Sequence, residues 1–480
     1  MNKTFIRYAL SCVIGIEGVF LILTSIIALI YHEDVFIPYF LTGLFSCLLG
    51  FLGYKKGSKS FVFYAKEGFI VVALGWIVMS LIGAFPIFIT GEIPYFLDAV
   101  FEIVSGFTTT GSTICPDVEA LSHCSNFWRC LTHWIGGMGV LVFILAILPM
   151  SGGYAVHIMK AESPGPVVSK LVSRVSDSAK ILYLIYAVIT AIECAILVIF
   201  GMPLFDAACA AFGTAGTGGF GIRNDSMASY SNSIQLIVTI FMILFGINFN
   251  VYFLALTKRF KDAIKSEEVR WYLAIVAIAT LLISVNTFHQ IGSLYESIHD
   301  AFFQVGSIIT TTGFATVDFD MWPMFSKTIL IMLMFCGACA GSTGGGIKVS
   351  RIAIAIKDAF NSIGSYIHPR RVKRIRFEGK VVQDETIYSI RSYICVYALI
   401  FMISMLIVSF NNFSFGTNFS AVAATFNNIG PGIDVVGPTS NFMMFNSVSK
   451  IVFIFDMLAG RLEIIPMLVL FSPATYKEKA

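Results

Sequence analysis

Long apolar segments alternate with short polar segments along almost the whole chain. Ten of the apolar segments are long enough to cross the hydrocarbon core of a membrane, which takes about 20 residues of α-helix. They lie near residues 6–30, 36–54, 68–90, 127–150, 181–202, 233–256, 271–290, 324–356, 388–410 and 445–472. The pattern predicts an all-α integral membrane protein with ten spanning helices.

Four further apolar stretches, of about ten residues, are too short to span a membrane, and each ends in a polar turn that contains glycine. They read LDAVFEIVSGFTTTGSTI, FDAACAAFGTAGTGGFGI, HDAFFQVGSIITTTGFATV and NFSAVAATFNNIGPGID. In each, an Asp or Asn precedes a Gly by 12 or 13 residues: Asp98 and Gly111, Asp206 and Gly218, Asp300 and Gly313, Asn418 and Gly430. The matched spacing predicts four repeats of spanning helix, short re-entrant helix, loop and second spanning helix.

The repeats divide the chain into five predicted regions. Residues 1–66 hold two additional N-terminal helices, 67–160 form repeat 1, 161–265 repeat 2, 266–380 repeat 3 with a broken second helix, and 381–480 repeat 4.

Charge is scarce, and its placement predicts the orientation in the membrane. Only 13% of the residues are charged, whereas soluble proteins carry about 25%. Lys and Arg are concentrated in alternate connections, around residues 55–66, 160–180, 258–270 and 370–380, and the other connections are acidic. The positive-inside rule then places both termini in the cytoplasm and all four loops outside, where they can meet around one axis. The net charge of +3 does not indicate a nucleic-acid partner.

The composition of the four loops favours cation binding. Non-helical backbone at membrane depth persists only where it is buried in protein or lines water. Glycine can turn its carbonyl inward, and carbonyl and threonine oxygens can replace the hydration shell of a monovalent cation. The candidate filter residues are Thr109, Thr110, Gly111, Thr217, Gly218, Thr311, Thr312, Gly313, Asn428, Ile429 and Gly430. The alternative is that Gly and Thr only allow close helix packing.

The short helices are predicted to begin at Asp98, Asp206, Asp300 and Asn418, which are favourable N-cap residues. With these caps, the partially negative C-terminus of each helix points towards the centre of a pore.

Two further polar features lie inside apolar segments. The stretch GACAGSTGGG (337–346) is too rich in glycine for a stable helix, so span eight is predicted to break below the third loop. The break is either a tight packing site or a flexible gate that includes Gly341, Ser342, Thr343, Gly344, Gly345 and Gly346. Lys348 follows it and is either part of the gate or an anchor at the membrane edge.

Arg461 lies within span ten, where a charge is costly and usually faces a partner or a cavity. Its candidate partners are Glu463 and Asp456, and it is either a structural ion pair or a cationic constriction. His133 is expected to pack or to form hydrogen bonds rather than to relay protons. The basic segment 368–380 is expected to contact either anionic lipid or a cytosolic partner.

Several stretches resemble the Trk/Ktr/HKT superfamily of potassium transporters, most closely its bacterial TrkH/TrkG branch. They are FWRCLTHWIGGMGVLVFILAILPM (127–150), KAESPGP (160–166), GACAGSTGGGIKVSRI (337–352), AGRLEIIPMLVLF (459–471) and the four loops. The resemblance implies a pseudo-fourfold pore in each protomer of a homodimer in the bacterial inner membrane. It also implies a cytosolic ring of TrkA-like nucleotide-binding subunits.

The resemblance maps the filter glycines to Gly111, Gly218, Gly313 and Gly430, and gives the glycine-rich stretch and Arg461 a role in gating. Glycine at 111, where sodium-selective plant relatives have serine, favours potassium. Repeat 4 lacks a threonine beside its glycine, so we expect it to bind the ion less symmetrically.

The sequence therefore predicts potassium uptake through a selective, gated, channel-like pore driven by the membrane potential. K⁺ would be the bound and transported ion. The alternative is a potassium symporter coupled to sodium or protons. An enzyme is not expected, because the chain has no HExxH, GxSxG or phosphate-loop motif, and the last absence also argues against a nucleotide site on this chain.

Overall fold

A computed structural model describes residues 2–55, 65–139, 175–368 and 374–476. Its helices are α1 (Lys3–Tyr31), α2 (Phe36–Lys55), α3 (Ala65–Ile89), α4 (Phe96–Phe107), α5 (His123–Gly137), α6 (Val175–Ile199), α7 (Leu204–Gly216), α8 (Asn232–Phe245), α9 (Phe249–Leu256), α10 (Phe260–Ile264), α11 (Glu267–Ile291), α12 (Leu294–Ile309), α13 (Met324–Cys336), α14 (Val349–Ile367), α15 (Asp384–Val408), α16 (Phe415–Phe426), α17 (Ser447–Arg461) and α18 (Ile465–Phe471). A two-stranded antiparallel hairpin, β1 (Arg376–Phe377) and β2 (Lys380–Val381), connects α14 to α15. The protein is thus predominantly helical, as the apolar pattern predicts.

Six helices in the described part of the chain are long and apolar enough to cross a membrane: α1, α2, α3, α6, α11 and α15. The helices α1 and α2 pack closely through small residues. A β-carbon at Gly18 would lie 2.6 Å from the carbonyl oxygen of Gly43, so the two backbones are almost in contact. Small residues allow this approach between membrane helices.

Within the described residues, predicted spans six, eight and ten are each interrupted. Span eight breaks into α13 and α14 at the glycine-rich segment, which confirms that prediction. The prediction of continuous helices in spans six and ten is wrong, because α8 and α9 meet at a bend of 90° and residues 462–464 separate α17 from α18. The second half of span four, from residue 140, and KAESPGP lie outside the described residues, as do residues 369–373 of the basic segment.

The four short helices are α4, α7, α12 and α16, with 12, 13, 16 and 12 residues. Each follows a long helix (α3, α6, α11 or α15) and ends at the start of one of the four loops. This order places each loop between two helices.

The predicted N-caps of these helices are wrong. The capping positions are Tyr95, Pro203, Ser293 and Ser414 rather than Asp98, Asp206, Asp300 and Asn418, because the helices begin several residues earlier. Ser293 and Ser414 cap through their side chains, which accept from the backbone N–H three residues later.

The predicted cap residues bind other partners. The Asp98 carboxylate accepts a hydrogen bond from Lys450 at 2.7 Å, and the Asp206 carboxylate accepts one from Tyr230 at 2.7 Å. Both still lie in the first turn of their helices, where a negative charge is favourable.

Candidate functional site

The four loops share one unusual backbone conformation. Each loop has two residues with positive φ, separated by one residue: Thr109 and Gly111, Thr217 and Gly219, Thr311 and Gly313, Asn428 and Gly430. The first residue of each pair has φ between 54° and 60°, a region that costs an ordinary L-residue roughly 1–2 kcal/mol. Such strain persists only where surrounding contacts enforce it, and it is concentrated at functional sites.

This conformation corrects one of the predicted glycines. In repeat 2 the positive φ belongs to Gly219, at 76°, and not to Gly218. Gly218 takes the place that Thr110, Thr312 and Ile429 occupy in the other repeats, immediately before the glycine. The sequence Thr-Gly-Gly offers two adjacent glycines, and spacing alone does not distinguish them. Gly219 is therefore the loop glycine that the sequence reasoning missed.

The loops contact one another in a closed ring. At each loop glycine, a β-carbon would come up against the carbonyl oxygen of the residue before the glycine of the next loop. The four pairs are Gly111 with Gly218, Gly219 with Thr312, Gly313 with Ile429, and Gly430 with Thr110. The ring therefore runs from repeat 1 through repeats 2, 3 and 4 and back to repeat 1.

All four loop glycines also line one cavity of about 120 Å³: Gly111, Gly219, Gly313 and Gly430. Arg129 and Arg223 are among the side chains in its wall.

Several threonine hydroxyls in the loops are buried and organised. Thr108 and Thr110 are hydrogen-bonded through their hydroxyls at 2.8 Å, and Thr310 and Thr312 form the same pair at 2.8 Å. The hydroxyl of Thr109 is buried and has no hydrogen-bond partner among the described residues. It therefore has oxygen lone pairs available for a ligand.

A buried ion pair supports the first loop from behind. Arg129 and Glu102 are 1% and 0% exposed and lie 2.7 Å apart. The Glu102 carboxylate also accepts from the backbone N–H of Ile114 at 2.8 Å, and the Arg129 guanidinium lies over the ring of Phe220. A charge pair this deeply buried requires such additional partners.

His133 joins repeat 1 to the second loop. Its Nδ1 lies 2.7 Å from the carbonyl oxygen of Gly106, and its Nε2 accepts from the backbone N–H of Phe220 at 3.1 Å. These contacts require a neutral imidazole that donates through Nδ1 and accepts through Nε2. The expectation of a hydrogen-bonding histidine agrees with this geometry.

The glycine-rich segment 337–346 contacts the third loop at Thr311. The backbone N–H of Gly345 donates to the Thr311 hydroxyl at 2.6 Å. Lys348 donates to the carbonyl oxygen of Gly344 and is 1% exposed, so the interpretation of Lys348 as an anchor at the membrane edge is wrong.

Arg461 contacts the same segment, but not through the predicted partners. Its guanidinium donates to the carbonyl oxygens of Thr343 at 2.6 Å, Gly136 at 2.6 Å and Gly137 at 2.7 Å. Glu463 instead pairs with Arg351 at 2.6 Å, and Asp456 accepts from Ser404 at 2.8 Å.

The bend between α8 and α9 is hydrogen-bonded to the glycine-rich segment through backbone groups. The backbone N–H of Cys339 donates to the carbonyl oxygen of Gly246 at 3.1 Å, and the backbone N–H of Phe249 donates to the carbonyl oxygen of Gly341 at 3.0 Å. Two broken helices thus satisfy each other's free backbone groups, as membrane depth requires.

The described residues contain no group of three or more His, Cys, Asp and Glu side chains that could hold a metal ion.

Comparison with known proteins places the chain in a family. The sequence model of the TrkH family, described as a cation transport protein, matches residues 32–479. The Trk system potassium uptake protein TrkH of Salmonella typhimurium is 36% identical over 470 residues, which cover 95% of this chain and 96% of the relative. TrkG of Escherichia coli, also a Trk system potassium uptake protein, is 34% identical over 456 residues, or 93% of each chain.

A solved structure shares the fold. The crystal structure of the potassium transporter TrkH from Vibrio parahaemolyticus matches with a TM-score of 0.89 and 30% identity, covering 99% of this chain and 100% of that chain. The chain belongs to the TrkH family of cation transport proteins, and it is a membrane transporter rather than an enzyme.

Proposed function

We propose that this protein takes up potassium through a pore at the centre of the four loops, with pseudo-fourfold repeats around it. The observation that carries the proposal is the closed ring of glycine and carbonyl contacts between successive loops. The loop glycines also share one cavity, and relatives of more than 30% identity carry the name of potassium uptake proteins.

The ligands of the ion would be loop carbonyls together with the Thr109, Thr217 and Thr311 hydroxyls. Neutral oxygens replace the hydration shell of a weakly hydrated monovalent cation, as in potassium channels. A ring without carboxylates does not offer the charge that a divalent cation requires.

The gate would be the glycine-rich segment with its two cations. Gly345 reaches the Thr311 hydroxyl, and Lys348 and Arg461 both donate to carbonyls of the segment. A lysine and an arginine beneath the loops repel a cation, so conduction requires the segment and these side chains to move aside.

The membrane potential would supply the driving force. A potential of about 150 mV is worth about 3.4 kcal/mol per charge, which corresponds to roughly 300-fold accumulation. Passive flow of K⁺ through the pore can therefore concentrate the ion without a nucleotide site on this chain.

Coupled symport is a second candidate, and one observation favours a proton as the coupled ion. Glu17 and Glu193 are fully buried in membrane helices, and their carboxyl oxygens have no hydrogen-bond partner among the described residues. A carboxyl group in that environment is a place where a proton can bind.

The assembly is part of the proposal. We infer a homodimer in the bacterial inner membrane, with both termini in the cytoplasm and a TrkA-like nucleotide-binding ring on the cytosolic face. The support is membership of the TrkH family and the positive charge of the connections on that side.

The test is the reversal potential in planar bilayers with KCl on one side and NaCl on the other. We expect the wild-type value near the potassium equilibrium potential and a shift towards zero in Gly313→Ser. Gly364→Ser is the matched control, because a β-carbon at Gly364 meets nothing within 4 Å. Potassium uptake that requires sodium or a proton gradient, without current of this kind, would replace the channel by the symporter.

A further inference from the structure

Glu268 lies where the glycine-rich segment 337–346 meets α11 and α14. It is the second residue of α11 and is only 4% exposed. One oxygen of its carboxylate accepts from the backbone N–H of Ala340 at 2.7 Å and from the backbone N–H of Ser350 at 3.2 Å. Ala340 belongs to the glycine-rich segment, and Ser350 to the first turn of α14.

These two contacts enclose the part of the chain that closes the pathway. Residues 341–349, which include Gly345 and Lys348, lie between the two bonded positions. A single carboxylate oxygen therefore joins Ala340, within the glycine-rich segment, to Ser350, in the first turn of α14. Hydrogen bonds to an ionised carboxylate are roughly twice as strong as those between neutral groups.

The bend between α8 and α9 contacts the same segment. The side chain of Asn248, which caps α9, lies beside Gly341, where a β-carbon would come within 3.1 Å of its Oδ1. The next residue, Phe249, donates its backbone N–H to Gly341. The segment that Glu268 holds at Ala340 is thus also bonded to the break in span six.

The β-hairpin fixes the position of Glu268 itself. The Glu378 carboxylate, in the turn of the hairpin, accepts from the Ser266 hydroxyl at 2.8 Å and from the backbone N–H of Glu268 at 2.9 Å. A displacement of the hairpin is therefore transmitted to Glu268 through one residue.

We propose that Glu268 is the latch that holds the glycine-rich segment in its closed position. It is a positioning residue, and its effect on transport rests on the proposed function of the segment as a gate. Loss of the carboxylate frees Ala340 and Ser350 together, so the closed state loses stability relative to the open state. The loops themselves are untouched.

The first measurement is the open probability of single pores in symmetric KCl for wild type, Glu268→Gln, Glu268→Ala and Arg461→Ala. We expect a rise of about tenfold in Glu268→Ala, equivalent to about 1.4 kcal/mol, and a smaller rise in Glu268→Gln. The reversal potential against NaCl stays at the wild-type value. Glu385→Gln is the matched control, because Glu385 is the second residue of α15, the corresponding helix of repeat 4, and is exposed.

The second measurement is alkylation of Cys339 by N-ethylmaleimide, followed by mass spectrometry. Cys339 precedes Ala340 and is 0% exposed, so release of the segment accelerates its modification. This readout does not depend on current or on complete stability of the alanine variant, because Glu268→Gln preserves the shape of the side chain.

The outcomes separate the two proposals. The latch would be overturned if Arg461→Ala raised the open probability while neither Glu268 variant changed the open probability or the rate of Cys339 labelling. That result would leave the proposed gate intact. Absence of potassium current in wild type and in all variants would overturn the proposed function, and Cys339 labelling would still decide whether Glu268 holds the segment.

Discussion

The first and third loops differ from the second and fourth in chemistry, although their backbones are alike. Loops 1 and 3 read Thr-Thr-Thr-Gly at 108–111 and 310–313, and each contains a hydroxyl pair at 2.8 Å. Loops 2 and 4 read Gly-Thr-Gly-Gly at 216–219 and Asn-Asn-Ile-Gly at 427–430, so the same hydroxyl pair cannot form. The positive-φ positions define the shape of the ring, and the hydroxyl pairs are an addition in loops 1 and 3.

Loops 2 and 4 obtain their support from elsewhere. His133 binds the backbone N–H of Phe220 beside loop 2. In loop 4 the Asn428 amide donates to the Thr110 hydroxyl at 2.9 Å and to the carbonyl oxygen of Met457 at 2.9 Å. The difference between the two pairs of loops shows that a ring formed by one chain can keep the same backbone geometry while each loop is stabilised by different contacts.

The largest effect is expected at the glycines that all four loops share. Gly219→Ser and Gly313→Ser should each lower the permeability ratio of potassium over sodium by about tenfold or more, since about 1.4 kcal/mol of lost discrimination is a factor of ten. Each serine would be forced into a positive φ and against a carbonyl of the next loop. Bi-ionic reversal potentials give the permeability ratio of both variants. A wild-type permeability ratio in Gly219→Ser would show that loop 2 does not contribute to selectivity as loop 3 does.

The second-largest effect is expected at His133, which supports loop 2 through its hydrogen bonds. His133→Leu removes both ring hydrogen bonds and leaves the Phe220 N–H buried without its acceptor, which should cost about 1–3 kcal/mol of stability. Thermal unfolding followed by size-exclusion chromatography measures the loss. His289→Leu is the control, because His289 is exposed at the end of α11. Equal melting temperatures in the two variants would contradict a supporting role.

The hydroxyl pairs should have a smaller and unequal effect. Thr312→Val removes only the bond to Thr310, whereas Thr110→Val also removes the acceptor of the Asn428 amide. We expect Thr110→Val to destabilise the protein by about 1 kcal/mol more than Thr312→Val, the usual net value of one hydrogen bond. Thermal melting of both variants tests the order, and the reverse order would show that loop 4 does not depend on loop 1.

The smallest effect concerns the outer segments of repeats 1 and 2. The Asn224 side chain donates to the Asp117 carboxylate at 2.8 Å, and this bond holds the pKa of Asp117 below its usual range. The contribution of the carboxylate to stability is therefore present above the ordinary aspartate pKa of about 3.9 and is lost as the pH falls through the lower folded-state value. Melting curves of wild type and Asp117→Asn should differ slightly at pH 7 and should converge as the pH falls through the folded-state pKa of Asp117. A difference that grows on acidification would have the wrong sign.

The sequence predicts the location of the loops and of the broken eighth span because glycine and threonine are conspicuous between apolar segments. So many glycine and threonine residues at 108–113 and at 337–346 favour non-helical backbone, which occurs at membrane depth only where it is buried in protein or lines water. The bend after Phe245 was not predicted, since its free backbone groups are satisfied by residues 339–341, about 90 positions away. A local pattern does not contain that contact.

The remaining errors have similar causes. Carboxylates near a helix start resemble caps, yet Asp98 pairs with Lys450, which is distant in sequence. Arg461 was assigned to nearby carboxylates, whereas three backbone carbonyls from two other repeats surround its guanidinium. In the Thr-Gly-Gly of loop 2, only the backbone angle identifies Gly219. Each of these contacts depends on the folded chain.

The ring of loops has a consequence for how selectivity can change over evolutionary time. In a channel made of four identical subunits, one codon alters all four quadrants simultaneously. Here one polypeptide carries four different loops, so a single mutation alters one quadrant and leaves three unchanged. Ion preference can then change one quadrant at a time, instead of in all four quadrants together.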